Sequence, residues 1–185
     1  MTKIFLCRHG QDEDNSNGLL NGHRNTPLTE LGRQQAEQVA DKIATTLPPF
    51  DVILSSPLQR AHNTALAIAS RRDQNVIVEP MLIERDFGVF TGKPIADIVE
   101  LCKGDVLKTD RVTYFLSGEG SETFDVLYQR ATDVVAKVRD SYKDKTVLLV
   151  CHGDIGKMIL AVCKEITWKE GLMYPYFANT EVIEL

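Results

Sequence analysis

Residues 1–15 of the chain read MTKIFLCRHGQDEDN, and the apolar run at 4–7 stops abruptly at Arg8 and His9. A short apolar run of this kind is typical of a strand that is buried on both faces of a sheet. Arg8 and His9 therefore stand where such a strand emerges into solvent. Because ligands bind at the carboxyl ends of strands in an open α/β sheet, this stretch predicts chemistry at a strand end.

Length and composition are those of an ordinary globular protein. The chain has 185 residues, 43% hydrophobic and 25% charged, and is long enough to bury about two-thirds of its unfolded surface in one core. We therefore expect a single domain over residues 1–185.

The charge and hydropathy of the chain exclude several classes of partner. A formal net charge of -5 argues against nucleic acid and against a membrane surface, because proteins that bind either usually carry a basic face. No stretch approaches the roughly 20 apolar residues of a spanning helix, and the run at 4–7 is too short for a secretory signal. We expect a cytoplasmic protein.

The cysteines predict neither disulfides nor a zinc site. They lack C-x-x-C spacing and the density of secreted disulfide-rich domains. We expect reduced thiols at Cys7, Cys102, Cys151 and Cys163.

Short β-branched runs alternate with longer segments of helical periodicity, which favours a sheet covered by helices on both faces. Helices are predicted at 29–47 and 121–139, the second with Ser121 as its N-cap. A third helix is predicted to begin with Ser56 as its N-cap and Pro57 in the first helical position. Strands are predicted at 3–8, 51–55, 75–78, 146–151 and 180–185.

Three of the predicted strands carry candidate site residues to one edge of the sheet. The first ends in Arg8 and His9, the second leads into a helix whose first turn carries Arg60, and the fourth ends at His152. The arginine guanidinium matches phosphate oxygens, and the helix N-terminus after Ser56 adds oriented N–H groups. The combination predicts a phosphoryl pocket.

Histidine can do the chemistry of such a pocket without a metal or another cofactor. A neutral imidazole is a nucleophile near physiological pH and can attack phosphorus directly. Glu84 could protonate the leaving alcohol. Taken singly, Arg60 could be a solvated helix residue and His152 a hydrogen-bonded core histidine. Their joint placement at strand ends favours the catalytic interpretation.

Several blocks of the sequence resemble the histidine phosphatase superfamily, also called phosphoglycerate mutase-like, over nearly the whole chain. CRHGQDEDN is similar to its R-H-G-x-T-x-x-N signature, with Asp12 where threonine is usual. LNGHRNTPLTELGRQQA is similar to the next segment, with Asn25 in place of the common aspartate. SSPLQRAHNTA, LIERDFGVFTG, GSETFDVLYQR and VCHGDIGKMI follow in the family's order. The resemblance implies a three-layer α/β/α sandwich with a mostly parallel central sheet.

The resemblance also assigns roles to the candidate residues. It implies His9 as the phosphorylated nucleophile, with Arg8, Arg60 and His152 binding the phosphoryl group. It implies Glu84 as proton donor to the leaving oxygen and then as base toward water. Further substrate-binding positions are predicted at Asn15, Asn21, Gly22, Arg24, Gly153 and Asp154. For Arg24 we expect contact with a second acidic group of the substrate.

Members of this family divide mainly into hydrolases and mutases. Mutases are longer and have an extended insert after the catalytic glutamate, which keeps water from the phosphorylated intermediate. Here 38 positions separate Glu84 from Glu122, and residues 85–120 predict irregular structure over the site. We therefore predict a metal-independent hydrolase of a small phosphorylated metabolite, such as a sugar phosphate, with phosphoglycerate mutase activity as the alternative.

Alternatives of another class are a phosphohistidine or phosphoprotein signalling phosphatase and a phospho-ligand-binding module. A signalling phosphatase of this family is typically a shorter chain with little covering its site. A binding module would usually have lost the nucleophile or an arginine, whereas all five core groups are present here.

Overall fold

The alternation of strand-like and helix-like segments is realised as a layer of strands between helices. The computed structural model describes residues 1–175 and 177–185. Its strands are β1 (Lys3–Arg8), β2 (Val52–Ser55), β3 (Val76–Val78), β4 (Val106–Lys108), β5 (Thr113–Phe115), β6 (Thr146–Cys151) and β7 (Val182–Glu184). Its α-helices are α1 (Glu13–Asn17), α2 (Glu30–Thr46), α3 (Gln59–Ser70), α4 (Ile98–Leu101), α5 (Phe124–Ser141), α6 (Gly153–Cys163) and α7 (Trp168–Met173). None of these described helices is long and apolar enough to cross a membrane.

The larger sheet has the strand order β3-β2-β6-β1-β7. Within it β1, β2, β3 and β6 run parallel, and β7 pairs antiparallel with β1. The predicted strands are confirmed, with ends that differ from the predicted ones by at most two residues. The parallel arrangement brings the carboxyl ends of β1, β2 and β6 to the same edge.

Helices cover both faces of this sheet because successive side chains of a strand point to opposite sides. Phe5 and Cys7 of β1 pack in a cluster with the apolar faces of α2 and α3. Ile4 and Leu6 pack on the other side in a larger cluster that includes α5 and α6. The predicted three-layer α/β/α sandwich with a mostly parallel central sheet is confirmed.

The predicted start of the third helix is wrong by two residues. α3 begins at Gln59, with Leu58 as its N-cap and no side-chain cap. Ser56 instead lies in the connection between β2 and α3, where its hydroxyl accepts the Leu58 N–H at 3.2 Å and contacts His152. A contact across the sheet thus overrides the local capping preference of Ser56 and Pro57.

The predicted N-cap of the long helix before β6 is also wrong. α5 begins at Phe124, and its N-cap is Thr123, whose side chain accepts the Val126 N–H. Ser121 donates its hydroxyl to the Gly118 carbonyl at 2.8 Å and forms a bridge with Phe87. Ser121 therefore belongs to the loop that precedes α5 and is not the N-cap of this helix.

Residues 85–120, which we call the covering segment, are more regular than predicted. They contain α4 and an antiparallel pair formed by β4 and β5. A small core of their own lies beneath these elements, formed by Phe87, Phe90, Ile98, Cys102 and Phe115. The aromatic side chains that break the helical periodicity of this segment are the ones that build this core.

Candidate active site

The ends of β1, β2 and β6 bring His9, Arg60 and His152 together. His9 follows β1, Arg60 is the second residue of α3, and His152 is the N-cap of α6. The two imidazole centroids lie 5.0 Å apart. All three residues are buried, with 2% of His9 and 0% of Arg60 and His152 exposed. The predicted convergence of these groups is present in the structure.

The turn after His9 depends on a close approach of two backbone segments. A Cβ atom on Gly10 would lie 2.4 Å from the carbonyl oxygen of Gly32 in α2. Only a residue without a side chain fits there, because a contact this short is not tolerated by a real Cβ. The glycine of the R-H-G tripeptide thus lets α2 pack against the His9 turn.

The tautomer of His9 follows from one hydrogen bond. Its Nδ1 lies 2.6 Å from the carbonyl oxygen of Gly10, which can only accept, so Nδ1 carries the proton and Nε2 keeps its lone pair. Burial, with the charges of Arg60 and Arg8, holds the pKa of His9 well below its usual value of 6.5. His9 is therefore a neutral imidazole at pH 7.

Arg60 is held from several directions. Nη1 donates to the Arg24 carbonyl at 2.6 Å and Nη2 to the Gly22 carbonyl at 2.9 Å. Nε lies 3.1 Å from both His152 Nδ1 and Asp12 Oδ2. Burial lowers the pKa of Arg60, and the Asp12 carboxylate opposes that effect. The guanidinium is thereby fixed in one orientation.

His152 has the opposite tautomer to His9. Because its Nδ1 accepts from Arg60, the proton lies on Nε2, which donates to Ser56 Oγ at 2.7 Å. Burial and the nearby cations hold the pKa of His152 well below 6.5, so it is also neutral. Sequence reasoning missed the contact with Ser56 because the two residues are separated by 96 positions.

Glu84 lies at the N-terminus of α6. Its carboxylate accepts the N–H groups of Asp154 at 3.3 Å and Ile155 at 3.2 Å, and that of Arg85 at 2.9 Å. The N–H groups at the start of α6 have no partner within the helix, and the carboxyl oxygens of Glu84 satisfy two of them. Glu84 is therefore fixed beside His152 and Gly153, facing the same edge of the sheet.

A buried arginine next to Glu84 escaped the sequence analysis. Arg85 Nε lies 3.0 Å from Asp154 Oδ2, and its guanidinium carbon lies 3.9 Å and 4.1 Å from the ring centroids of Phe115 and Phe124. Burial raises the pKa of Asp154 to about 7, although Arg85 opposes the rise. No local pattern distinguishes such an arginine from an exposed one.

A cleft of about 660 Å³ separates this edge of the sheet from the covering segment. Two carboxylic acids, Glu84 and Asp154, are among its described lining residues, as are the cations Arg8, Arg111 and Lys157. The covering segment contributes mainly apolar wall, formed by Phe87, Ile95, Ala96, Ile98, Val99, Val112, Thr113 and Tyr114.

The predicted substrate-binding residues fall into two groups. Asn15, Asn21, Gly153 and Asp154 line the cleft. Gly22 and Arg24 reach the site through their backbone carbonyls, which accept from Arg60. The Arg24 side chain pairs with Asp14 at 2.8 Å and is not among the described residues that line the cleft.

Asn179 and Lys157 also contact or border the site without having been predicted. Asn179 Nδ2 donates to the His9 carbonyl at 2.8 Å. Lys157 is buried and donates to the carbonyls of Tyr174 and Pro175 at 2.5 and 2.6 Å. Burial lowers the pKa of Lys157 to about 8. In the described ranges no group of three or more His, Cys, Asp or Glu side chains could hold a metal ion.

Comparisons with known proteins give matches over most of the chain. Residues 4–185 match the model of the histidine phosphatase superfamily (branch 1). Phosphoserine phosphatase 1 of Hydrogenobacter thermophilus is 32% identical over 152 residues, which are 82% of this chain and 71% of that protein.

Two solved structures resemble the whole chain. YhfR of Bacillus stearothermophilus matches with a TM-score of 0.86 and 25% identity, over 100% of this chain and 90% of its own. The phosphoserine phosphatase of Entamoeba histolytica, in complex with 3-phosphoglyceric acid, matches with a TM-score of 0.81 and 26% identity, with the same coverage.

Proposed function

Because the chain belongs to the histidine phosphatase superfamily and is a phosphoric monoester hydrolase of that family, we propose that it cleaves small phosphorylated metabolites through a phosphohistidine formed on His9. The observation that carries this proposal is the state of His9. Its Nδ1 proton is committed to the Gly10 carbonyl, and its ring is neutral. Nε2 is thus the nitrogen with a free lone pair.

In the first step, His9 Nε2 forms a bond to phosphorus while the bond from phosphorus to the ester oxygen breaks. Glu84 gives its proton to the leaving oxygen, so that a neutral alcohol departs. In the second step, Glu84 takes a proton from water, whose oxygen attacks phosphorus and breaks the bond to Nε2. The products are inorganic phosphate and neutral His9.

Arg8 and Arg60 would hold the transferring phosphoryl group, and His152 would join them when its Nε2–H exchanges Ser56 Oγ for a phosphoryl oxygen. Donors aimed in advance at the developing charge account for a large part of the rate in such sites. The fixed hydrogen bonds of Arg60 to the carbonyls of Gly22 and Arg24 support this role, since the guanidinium need not reorganise during the reaction.

The cleft supports a small metabolite as the substrate. Its volume of about 660 Å³ is that of an ordinary small-molecule site, and Arg111 and Lys157 provide cations beyond the phosphoryl end. Two of the matched proteins are named as phosphoserine phosphatases, so we propose phosphate esters of compact, polar alcohols as the first to test.

The test is phosphate release from phosphoserine, sugar phosphates, nucleotides, phosphoglycerates and an aryl phosphate, with EDTA present. His9→Ala should lower the rate at least about a thousandfold. The matched control is His62→Ala, because His62 lies in α3, bonds to Ser55 and is not among the described residues that line the cleft. Rapid quenching at alkaline pH, followed by mass spectrometry, should find phosphate on His9.

Two results would contradict this function. Isomerisation of 3-phosphoglycerate without phosphate release would favour the mutase. Binding of a phosphoprotein without turnover of any ester would favour the signalling or binding class.

The remaining expectations belong to the same proposal. We propose that residues 1–185 form one domain and that the enzyme works in the cytoplasm. Its four cysteines are free thiols, which suits a reducing compartment.

A further inference from the structure

One carboxylate lies against the phosphoryl pocket without a role in the proposed reaction. Asp12 has 0% of its surface exposed. Its Oδ1 accepts the Asn15 N–H at 2.7 Å and so caps α1. Its Oδ2 lies 3.1 Å from Arg60 Nε and accepts from Asn21 Nδ2 at 2.8 Å.

The capping role does not explain why this residue is charged. Threonine, serine and asparagine cap helices about as well as aspartate does. Threonine is the usual residue at this place in the family that the sequence resembles. A buried carboxylate carries a desolvation cost that threonine does not, so its charge calls for a separate explanation.

Orientation of Arg60 does not explain the charge either. The Arg60 guanidinium is already fixed by the carbonyls of Gly22 and Arg24 and by His152 Nδ1. Removing the Asp12 carboxylate leaves these contacts in place. Beyond these contacts, Asp12 adds a negative charge at Arg60, and its effect there is larger than that of Glu84 or Asp14.

We propose that Asp12 is a built-in counter-charge of the phosphoryl pocket, which limits how tightly the pocket binds an oxyanion. This inference rests on the proposed function. Arg8 and Arg60 bring two positive charges, whereas His9 and His152 are neutral. A bound phosphate must therefore share the positive charge of Arg60 with the carboxylate of Asp12, which is a fixed part of the pocket.

The consequence concerns product release. Inorganic phosphate carries the same oxygens as the transferring group and would be held by the same donors. At an effective dielectric constant of about 20, a unit charge a few ångströms away changes the dissociation constant of an anion by roughly tenfold or more. Asp12 weakens the hold on phosphate while leaving the donors correctly aimed.

The test is the affinity for inorganic phosphate, measured by titration calorimetry and by competitive inhibition of aryl phosphate hydrolysis. Asp12→Thr keeps a side-chain oxygen for the N-cap of α1 and removes the charge. We expect phosphate to bind about tenfold more tightly to this variant. Glu13→Gln is the matched control, since it removes a neighbouring exposed charge of α1 and should leave the affinity unchanged.

The sign of the effect separates this role from a structural one. A residue that merely supports the pocket would weaken phosphate binding when replaced. Unchanged or weaker binding by a folded Asp12→Thr, with circular dichroism and melting temperature as checks of folding, overturns the inference. If Asp12→Thr does not fold, Asp12→Asn is held to the same criterion. A wild-type protein that neither binds phosphate nor hydrolyses aryl phosphate would instead overturn the proposed function.

Discussion

The phosphoryl pocket, formed by Arg8, His9, Arg60 and His152, meets the covering segment at the cleft that Arg8 lines, but the two regions are built differently. In the pocket, His9, Arg60 and His152 are buried. The nitrogens of Arg60 and His152 have named partners, and His9 has Nδ1 engaged while Nε2 keeps its lone pair. The covering segment presents apolar side chains on short elements, and some of them are half exposed.

This difference indicates that the pocket carries out the reaction and that the covering segment selects the substrate. Groups on the ends of buried parallel strands have one available arrangement, because the sheet and its helices define their positions. Side chains on short helices and a two-stranded ribbon have less packing to hold them. We therefore expect changes in the pocket to affect all substrates alike and changes in the covering segment to affect substrates differently.

Among the changes that test this comparison, the largest effect is expected from Arg60→Lys. A lysine ammonium cannot donate in three directions to Gly22, Arg24 and His152 while also reaching a phosphate. We expect kcat/KM to fall about a hundredfold to a thousandfold. The fall in kcat/KM should be the same for phosphoserine and for an aryl phosphate. A fall that differs strongly between the two substrates would contradict the proposed difference between the pocket and the covering segment.

A smaller and selective effect is expected from Arg111→Ala in the covering segment. Arg111 lines the cleft, so its loss should raise KM about tenfold for esters with a second anionic group and leave an aryl phosphate unaffected. Lys108→Ala, an exposed cation of β4, is the control. Arg24→Ala should change KM less than Arg111→Ala, because the Arg24 side chain pairs with Asp14. If Arg24→Ala raised KM more than Arg111→Ala does, Arg24 rather than Arg111 would be the residue that contacts the second anionic group.

The pH dependence of stability distinguishes the buried His9 of the pocket from an exposed histidine. Because the pKa of His9 is lowered in the folded state, the unfolded chain takes up a proton below about pH 6.5 that the native His9 does not. Stability contributed by neutral His9 is therefore present above pH 6.5 and is lost as pH falls. Denaturant unfolding between pH 5 and 7.5 should show this loss, and His9→Gln should reduce it. His9 NMR signals that titrate at pH 6.5 would contradict the prediction.

The smallest effect is expected at the border between the two regions. The raised pKa of Asp154 means that its native carboxyl keeps a proton that the unfolded chain releases above about pH 4. The stabilising effect of this proton is present below pH 4 and is lost as pH rises toward 7. Asp154→Asn should remove this pH dependence, as measured by urea unfolding at pH 4.5 and 7.5. If the difference in the free energy of unfolding between pH 4.5 and 7.5 were the same in Asp154→Asn, the raised pKa of Asp154 would be contradicted.

Much of the fold was predictable because its signals are local. The apolar runs at β1 and β6 and the helical stripe of α2 are encoded within each segment. The element starts at Ser56 and Ser121 were predicted wrongly because contacts distant in sequence, to His152 and to Phe87, decide those residues' conformations. The covering segment was predicted as irregular because its aromatic residues pack on one another rather than along one face.

The sequence by itself determined which strand ends carry Arg8, His9 and His152, because burial on both faces requires continuous apolar runs that end at an edge of the sheet. Only the tertiary structure decided the protonated nitrogen of each histidine, the caging of Arg85 by Phe115 and Phe124, and the contact between Asp12 and Arg60. These features depend on hydrogen bonds and burial between segments far apart in the chain, which no local pattern of residues records.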